Sequence, residues 1–366
     1  MPRLIFTVTN DLTYDQRMQR ICGSLALNGY EVLLVGRKLK GSASFGEQPF
    51  KQKRIRCLFT DGFAFYAEYN IRLFFFLLFV KADAFCAIDL DTILPNYFAS
   101  AIRRKKRLYD AHELFTEQKE IVTRPFVHKV WLMVERFAVP KFKSGYTVNI
   151  FIGDELKRRY GIDYGIIRNI PVTTQIPDSK LTPHSNESFI IYQGAVNEGR
   201  SFETLIPAMK QVDTKLVIVG KGNFFEQTKA LIAANHVEAK VELKGYVAPQ
   251  ALKQLTPKAK FGLTLFEATG LNQYYSLSNR FFDYIMAGIP QVCVGYPEYR
   301  AINDEYEIAL LINDTNIETI AAALNKLMTD IVLYERLKQN CLKARTVLNW
   351  GGEEKKLIGI WDRLFS

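Results

Sequence analysis

Short apolar segments rich in β-branched residues alternate with helical patterns along nearly the whole sequence. Residues 4–8 are predicted to form a strand, a helical pattern follows and stops at Asn28-Gly29, and residues 31–35 are predicted to form the next strand. A strand–helix–strand opening of this kind requires a parallel sheet that is covered by helices on both faces. The alternation therefore predicts an α/β fold.

The alternation stops once and then begins again. Further strands are predicted at residues 84–87, 107–109 and 146–149, and later at 189–192, 216–219, 241–243, 261–265 and 291–294. Between the two groups, residues 169–187 carry three of the thirteen prolines and almost no apolar periodicity, which indicates a domain boundary. A length of 366 residues also suits two domains. We predict an N-terminal domain (1–170), a linker (171–187), a C-terminal domain (188–350) and a last helix (351–366) that packs back toward the first domain.

The basic charge is confined to the first half. Residues 1–170 hold 27 Lys and Arg against 17 Asp and Glu, whereas residues 171–366 hold 21 of each, so the net charge of +10 belongs to the first half. Its densest part is Arg103, Arg104, Lys105, Lys106 and Arg107. This run is either a solvated helix end or a surface facing anionic lipid, where each basic group adds about 1 kcal/mol. No nucleic-acid-binding motif accompanies it, so we expect no nucleic-acid partner.

Cysteine usage and hydropathy predict a cytoplasmic protein. The five cysteines are widely spaced and form no CxxC pair, which predicts neither a disulfide framework nor a zinc site. The N-terminal residues lack the layout of a signal peptide. The most apolar run, residues 73–80, is shorter than the roughly 20 residues of a membrane-spanning helix. It is predicted to be a buried helix or an apolar helix that touches the inner face of a membrane or a partner.

Two segments of the second half place glycines and cations where a phosphate can bind. At residues 218–222 (IVGKG) a strand leads through Gly220, Lys221 and Gly222 into a helix, whose first N–H groups favour anions. At residues 192–205, Gly194 closes a strand and Arg200 precedes a helix. An arginine there can clamp a pyrophosphate, although a surface arginine at a helix start fits the same pattern.

A third segment, residues 276–299, is more specific. Asn279 and Arg280 open a predicted helix, and Asp283 lies one turn later on the face that Asn279 shares. A carboxylate at this position can accept hydrogen bonds from both ribose hydroxyls of a nucleotide. The alternative is that Asp283 is a solvent-facing helical acid.

These segments resemble the nucleotide-binding half of the retaining GT-B glycosyltransferases, close to the large family 4 group. Residues 278–284 (SNRFFDY) and 287–290 (AGIP) occupy the hallmark motif of that group, and LKGYV at 243–247 lies in the expected order. The first half is similar to bacterial members that build surface glycans. The recurring pieces are residues 10–21, 87–99 and 109–117. The resemblance implies two Rossmann-like domains, the GT-B fold, with a cleft between them.

The resemblance also implies a role for each matching residue. His112 would be the catalytic histidine that reaches the transferred sugar from the N-terminal, acceptor-side domain, and the loop with Asn10, Asp11 and Asp15 would lie at the cleft near donor phosphate and acceptor. The C-terminal domain would bind the nucleotide sugar. Its donor-binding residues would be Gly194, Arg200, Lys221, Gly245, Tyr246, Val247, Asn279, Arg280 and Asp283. Two positions depart from the family pattern: Tyr275 replaces a glutamate, and Ala195 replaces an arginine.

The implied activity is transfer of a sugar from a UDP- or GDP-linked donor to a lipid-linked or growing surface glycan, with retention and with no metal or other cofactor. Asp89 and Asp91 spell a DxD sequence, but we interpret them as acids that cap or pair at a strand end. Two alternatives stay open. One is a GT-B-fold epimerase that acts on the nucleotide sugar alone, and the other is a weakly active relative that only binds it.

Overall fold

A computed structural model describes residues 1–13, 15–172 and 188–366, which form two compact units. Unit 1 contains Met1–Asn169, Gly270–Asn272 and Glu353–Ser366, and unit 2 contains Ile170–Thr269 and Gln273–Gly352. Most of the predicted linker, 171–187, lies outside the described residues. Each unit is built on one parallel sheet with helices, so the predicted class of two Rossmann-like α/β domains is confirmed.

Unit 1 contains a seven-stranded sheet in the order β3-β2-β1-β4-β5-β6-β7. All its paired strands are parallel. The strands are β1 (Arg3–Thr7), β2 (Glu31–Lys38), β3 (Lys51–Arg56), β4 (Ala84–Ile88), β5 (Lys106–Ala111), β6 (Gly145–Thr147) and β7 (Gly165–Ile166). The chain reverses its direction across the sheet between β1 and β4. In open parallel sheets, ligands bind at the carboxyl ends of the strands beside such a reversal.

The helices of unit 1 cover this sheet. They are α1 (Gln16–Leu27), α2 (Gly62–Phe79), α3 (Ile93–Ile102), α4 (Lys119–Val122), α5 (Pro125–Ala138) and α6 (Ile150–Tyr160). One face of α2 is buried against the sheet through side chains spaced four residues apart: Phe65, Tyr69, Leu73 and Leu77. In the described part of the chain, α2 is the one helix whose length and composition would allow it to cross a membrane. Residues 73–79 of the apolar run are thus the end of an 18-residue helix with one buried face, and Val80 follows the helix in an extended conformation.

The last helix of the chain, α15 (Trp350–Phe365), contributes its residues from Glu353 onward to unit 1. The Trp361 ring is fully buried, with its centroid 5.3 Å from that of Phe6 on β1. The next residue of the helix makes a polar contact: the Tyr30 hydroxyl donates to Asp362 at 2.5 Å. The helix is therefore held by an aromatic anchor and by a hydrogen bond at its edge.

Unit 2 contains a six-stranded parallel sheet in the order β10-β9-β8-β11-β12-β13. Its strands are β8 (Phe189–Gln193), β9 (Lys215–Val219), β10 (Val241–Gly245), β11 (Phe261–Thr264), β12 (Gln291–Val294) and β13 (Ala309–Ile312). The helices that follow them along the chain are α7 (Phe202–Ala208), α8 (Phe225–Ala234), α9 (Pro249–Leu255), α10 (Leu271–Tyr274), α11 (Asn279–Ala287), α12 (Pro297–Tyr306), α13 (Ile317–Thr329) and α14 (Ile331–Ala344). The chain reverses its direction between β8 and β11, next to Gly194.

The predicted strands occur in the structure with small shifts at their ends. One example is 146–149, where the strand ends at Thr147 because the Asn149 side chain accepts from the Ile152 N–H and caps α6. Three strands were not predicted: β3, β7 and β13. The sequence of β3, KQKRIR, is almost entirely charged or polar, because it is an edge strand.

Candidate functional site

Four titratable side chains meet at the carboxyl ends of β4 and β5. His112 directly follows β5, and its Nε2 lies 3.1 Å from Oδ2 of Asp110. The His112 backbone N–H donates to Oδ1 of Asp89 at 2.8 Å, and Nδ1 lies 3.5 Å from the other oxygen of Asp89. On the other side, Arg17 of α1 pairs with Oδ1 of Asp110 at 2.9 Å. The sequence did not single out Arg17 as a partner of this group.

These contacts keep His112 protonated at neutral pH. Burial alone would lower the pKa of His112, but the carboxylates of Asp110 and Asp89 outweigh burial and raise it to about 9. Burial alone would raise the pKa of Asp110, but Arg17 and His112 outweigh it and hold the pKa below its usual value. An imidazolium donates from both ring nitrogens. Nε2 faces Asp110, whereas Nδ1, at 3.5 Å from Asp89, is beyond an ordinary hydrogen-bond distance and is the nitrogen that can donate to a sugar hydroxyl. The catalytic role of His112 stays a prediction.

Asp89 and Asp91 are tied to the fold at the reversal point of the sheet. Asp89 has a left-handed backbone conformation with φ of 53°, a strained conformation for a residue other than glycine. The Thr9 hydroxyl donates to Asp91 at 2.5 Å, which links the ends of β1 and β4. Burial raises the pKa of both acids, to about 6 for Asp91. Within residues 1–13, 15–172 and 188–366, no group of three His, Cys, Asp or Glu is arranged to hold a metal ion.

The predicted loop residues Asn10, Asp11 and Asp15 shape the turn after β1. The Asn10 amide donates to Asp15 at 2.7 Å, and Asp15 caps α1 by accepting from the Met18 N–H at 3.0 Å. Asp11 accepts from both the backbone and the hydroxyl of Thr13. All three side chains therefore have a structural role in unit 1, and their contact with substrate stays a prediction.

In unit 2, the loops after β8, β9 and β10 converge. The Gly220 N–H donates to the Gly245 carbonyl at 2.8 Å, and the Val196 N–H donates to the Lys221 carbonyl at 3.1 Å. A Cβ at Gly220 would lie 1.8 Å from the Gly194 carbonyl oxygen. Gly220 thus allows one loop to pack on another. The approach of a ligand to these loops stays a prediction.

Arg280 connects α11 to this group of loops. Its side chain is 7% exposed, its guanidinium lies 4.3 Å from the ring centroid of Tyr192, and Nε donates to Ser278 at 3.2 Å. A Cβ at Gly194 would lie 3.5 Å from Nη2, so the guanidinium lies beside that loop. Among the described residues, the buried Nη1 has no hydrogen-bond partner. A buried cation with an unused donor is costly unless an anion pairs with it.

Asp283 is oriented by a residue that the sequence did not single out. The Gln193 amide donates to Oδ2 of Asp283 at 3.0 Å, and its oxygen accepts from Thr256 at 2.7 Å. Gln193 is the last residue of β8, directly before Gly194, and it is 4% exposed. A polar side chain at the end of an otherwise apolar strand was the available signal. The contact indicates that Asp283 faces the sheet end, so it is not simply a solvent-facing acid.

Another predicted donor residue, Arg200, lies in the loop that follows β8. The Arg200 guanidinium lies 5.6 Å from the Phe266 ring centroid, and the Glu267 N–H donates to the Gly199 carbonyl, so this loop meets the end of β11. The remaining residues of the set are Tyr246, which is 65% exposed, Val247, which is partly buried, and Asn279, which is exposed.

The two positions that depart from the family pattern lie close to this group in sequence. The Ala195 carbonyl accepts from the Tyr192 hydroxyl at 2.8 Å. The ring of Tyr275 lies 5.5 Å from that of Tyr274. Position 275, where the resemblance leads us to expect a glutamate, thus carries an aromatic side chain beside another aromatic side chain.

Most of the basic run makes contacts within unit 1. Arg103 donates to the carbonyls of Leu77 and Val80 at 2.6 and 2.7 Å, and Arg107 donates to the Ser100 hydroxyl at 3.2 Å. The side chains of Lys105 and Lys106 contact Asp83 and the Leu364 carbonyl. Arg104 and Lys106 are exposed. Membrane contact by this run stays a prediction.

Comparisons with known proteins agree with this architecture. Residues 175–344 match the family model of the Glycosyl transferases group 1. Sucrose-phosphate synthase from Thermosynechococcus elongatus is 14% identical, with 100% of this chain and 99% of that chain covered and a TM-score of 0.83. Anabaena HepE, solved with UDP-glucose, is 11% identical, with 99% and 100% covered and a TM-score of 0.73.

WaaG, a glycosyltransferase involved in lipopolysaccharide biosynthesis, is 14% identical, with 98% and 99% covered and a TM-score of 0.67. No curated protein matches the chain in sequence. The structural likenesses extend over both units, whereas the family match falls within unit 2 except for Gly270–Asn272. The chain therefore has the GT-B fold, and its residues 175–344 are similar to the Glycosyl transferases group 1.

Proposed function

We propose that the protein transfers a sugar from a nucleotide diphosphate donor to a hydroxyl of a lipid-linked or growing surface glycan. The observation that carries the proposal is the buried guanidinium of Arg280 beside Gly194. Its Nη1 has no partner among the described residues, and it lies where the loops after β8, β9 and β10 converge. A donor diphosphate would accept a hydrogen bond from this Nη1 and pair with its charge. HepE, which shares the fold, binds UDP-glucose.

The donor contacts follow from this placement. Asp283, oriented by Gln193, would accept the ribose hydroxyls, and Lys221 with Arg200 would add charge at the diphosphate. Backbone N–H groups and cations would stabilise the leaving diphosphate electrostatically, so we propose that no metal ion or other cofactor is used. His112 would donate to the transferred sugar. Departure of the leaving group from the face that the acceptor attacks would retain the anomeric configuration.

Two observations support the proposed acceptor: the basic charge of the first half and the likeness of the fold to WaaG. The surplus of ten positive charges lies in residues 1–170, whereas the half with the proposed donor residues is neutral. WaaG, which shares the fold, acts in lipopolysaccharide biosynthesis. We therefore propose a cytoplasmic enzyme of polysaccharide biosynthesis that works at the inner face of a membrane.

A panel of UDP- and GDP-sugars tests the donor site. Binding is measured by calorimetry for the wild type, for Arg280→Met and, as a matched control, for Arg336→Met, a surface arginine of unit 2. A charge-assisted hydrogen bond contributes about 1.5–3 kcal/mol, so Arg280→Met should weaken the preferred donor at least about tenfold. The control should bind normally. Equal affinity of the two variants would remove Arg280 from the donor site.

Turnover separates the proposed activity from its alternatives. A transferase releases nucleoside diphosphate much faster with an acceptor than with water alone, and its product shows the donor's anomeric configuration by NMR. An epimerase would change the donor sugar with no acceptor present. Binding without turnover on membrane extracts would favour a binding protein, the alternative that Ala195 and Tyr275 suggest.

A further inference from the structure

A cavity of about 650 Å³ lies wholly within unit 1, between α2, α5 and the carboxyl end of β4. Its volume falls within the roughly 300–1,000 Å³ of small-molecule sites. Its wall is largely apolar and aromatic. The main wall residues are Phe63, Tyr66, Phe115, Phe126, Val130 and Trp131. Such a lining matches a hydrocarbon or other apolar group rather than a bare sugar.

The aromatic wall is organised around Trp131. Its ring meets that of Tyr66 edge-on, with centroids 5.5 Å apart, and that of Phe115 with centroids 4.9 Å apart. Edge-to-face contacts of this kind fix the ring planes before a ligand arrives. Phe63 and Phe126 also line the cavity but are 80% and 78% exposed, so the cavity is open to solvent beside them.

The polar part of the lining consists mainly of oxygen acceptors. Asp89, Asp91 and Glu113 all border the cavity. Glu113 accepts from the Asn272 amide at 2.9 Å, and Asp89 accepts from the His112 N–H at 2.8 Å, so both carboxyl groups are held in place. Such groups accept hydrogen bonds from hydroxyls. Arg124 and Gln118 also border the cavity, so its polar part carries donors as well as acceptors. The cavity therefore combines an apolar wall with a wall that recognises an alcohol.

We infer that this cavity is the acceptor site and that the acceptor is an amphiphilic alcohol. Its apolar portion lies against Tyr66 and Trp131, and its hydroxyl faces Asp89 and Glu113. The inference rests on the proposed function, since it names the substrate class of the same reaction. The inference goes further than the proposed function, because it requires the acceptor to carry an apolar portion close to its reacting hydroxyl. A purely polar glycan chain has no such portion.

Trp131 provides a direct readout of occupancy. The other two tryptophans, Trp350 and Trp361, are buried and do not line the cavity. An octyl glucoside carrying bromine on its alkyl chain, used below its micelle concentration, should quench the fluorescence of the wild type. The quenching should vanish in Trp131→Phe. Quenching that persists in Trp131→Phe would place the chain elsewhere and overturn the inference.

Two phenylalanines of α2 form a matched pair of variants. Phe63 and Phe79 are 80% and 83% exposed, but only Phe63 borders the cavity. We expect Phe63→Ser to weaken binding of the brominated glucoside about tenfold and Phe79→Ser to leave it unchanged. Ala67→Phe, which fills the cavity, should abolish binding while the melting temperature stays close to that of the wild type. Equal effects of the two serine variants would contradict the inference.

Acceptor kinetics separate this inference from the proposed function. With the donor that binds best, octyl glucoside should have a kcat/KM at least about tenfold above that of methyl glucoside, which carries the same sugar without the chain. Transfer to both glucosides with equal kcat/KM would support the proposed transferase activity but would contradict the apolar acceptor site. Absence of donor binding across the whole panel would remove the proposed function, and the quenching experiment would still decide whether the cavity binds the chain.

Discussion

Asp110 shares its two carboxylate oxygens between two cations, with Oδ2 at 3.1 Å from Nε2 of His112 and Oδ1 at 2.9 Å from Arg17. Asp110 is fully buried, and Arg17 is 5% exposed. A carboxylate held in this way stays ionised and orients the imidazole ring. The charge state of His112 therefore depends on residues from α1, β4 and β5 together.

Asp110→Asn should lower the pKa of His112. The substitution keeps the shape of the side chain but removes the negative charge that contributes most to the raised value of about 9. An NMR titration of labelled histidine measures the shift directly, and Asp89→Asn should cause a smaller decrease. A pKa that stays near 9 in Asp110→Asn would show that Asp110 does not control the protonation of His112. The melting temperature should also fall, because Arg17 loses its buried partner.

Stability and turnover should both fall at high pH. The pKa of His112 is raised from 6.5 to about 9 in the folded state, so its stabilising contribution is complete below pH 6.5 and is lost as the pH rises through about 9. Transfer should decline over the same range because the imidazolium donor disappears. Denaturant unfolding from pH 6 to 10 checks the first effect by comparing the wild type with His112→Gln. A constant difference between the two proteins across that range would refute it.

The sequence was sufficient to predict the architecture of both units. Alternation of buried β-branched strands with helices identified the parallel sheets, because strands covered on both faces are continuously apolar. It could not predict β3, since an edge strand with charged side chains lacks that signal. It also could not pair Arg17 with Asp110, which lie 93 residues apart and meet because α1, which follows β1, begins near the end of β5 in the same sheet.

Gly220→Ala should strongly destabilise unit 2. Gly220 has φ of +148°, and a Cβ there would lie 1.8 Å from the Gly194 carbonyl oxygen. Gly199, with φ of +75° and no atom within 4 Å of its Cβ position, is a matched control for backbone strain alone. We expect Gly199→Ala to cost about 1 kcal/mol and Gly220→Ala at least about 2 kcal/mol more. Urea unfolding measures both, and equal losses would contradict the close packing of the two loops.

Trp361 should be the main anchor of α15. Its side chain is fully buried against Phe6, and its Nε1 has no hydrogen-bond partner among the described residues. Trp361→Ala should cost about 3–5 kcal/mol of unfolding free energy through the cavity that it leaves. Trp361→Phe should cost less than half of that, because a ring remains and no hydrogen bond is lost. Similar losses for both variants, measured by urea unfolding, would exclude packing volume as the cause.

The donor residues were predicted from the sequence, but the side chains that hold them in place were not. Gly194, Lys221, Gly245 and Arg280 lie in four separate segments, and the parallel sheet brings them to one edge. The contact between Gln193 and Asp283 spans 90 residues and depends on the angle at which α11 packs on β8. Helical spacing predicted that Asp283 and Asn279 share one face of α11. Which residue this face contacts depends on how α11 packs in the unit, and the sequence does not show that.

Gln193→Met should weaken donor binding through Asp283. Methionine fills a similar volume but removes the amide that donates to Asp283 at 3.0 Å and the oxygen that accepts from Thr256 at 2.7 Å. If Asp283 binds the ribose, the loss should be about three- to tenfold for the donor's nucleoside diphosphate and nearly absent for its 2′,3′-dideoxy analogue, which has no ribose hydroxyls. Calorimetry with both ligands gives this comparison. Without ligand, the melting temperature of Gln193→Met should be slightly below that of the wild type, because Asp283 and Thr256 each lose a hydrogen-bond partner. An equal loss of affinity for both ligands would show that Gln193 supports the loop as a whole. It would also contradict the proposal that Asp283 binds the ribose hydroxyls.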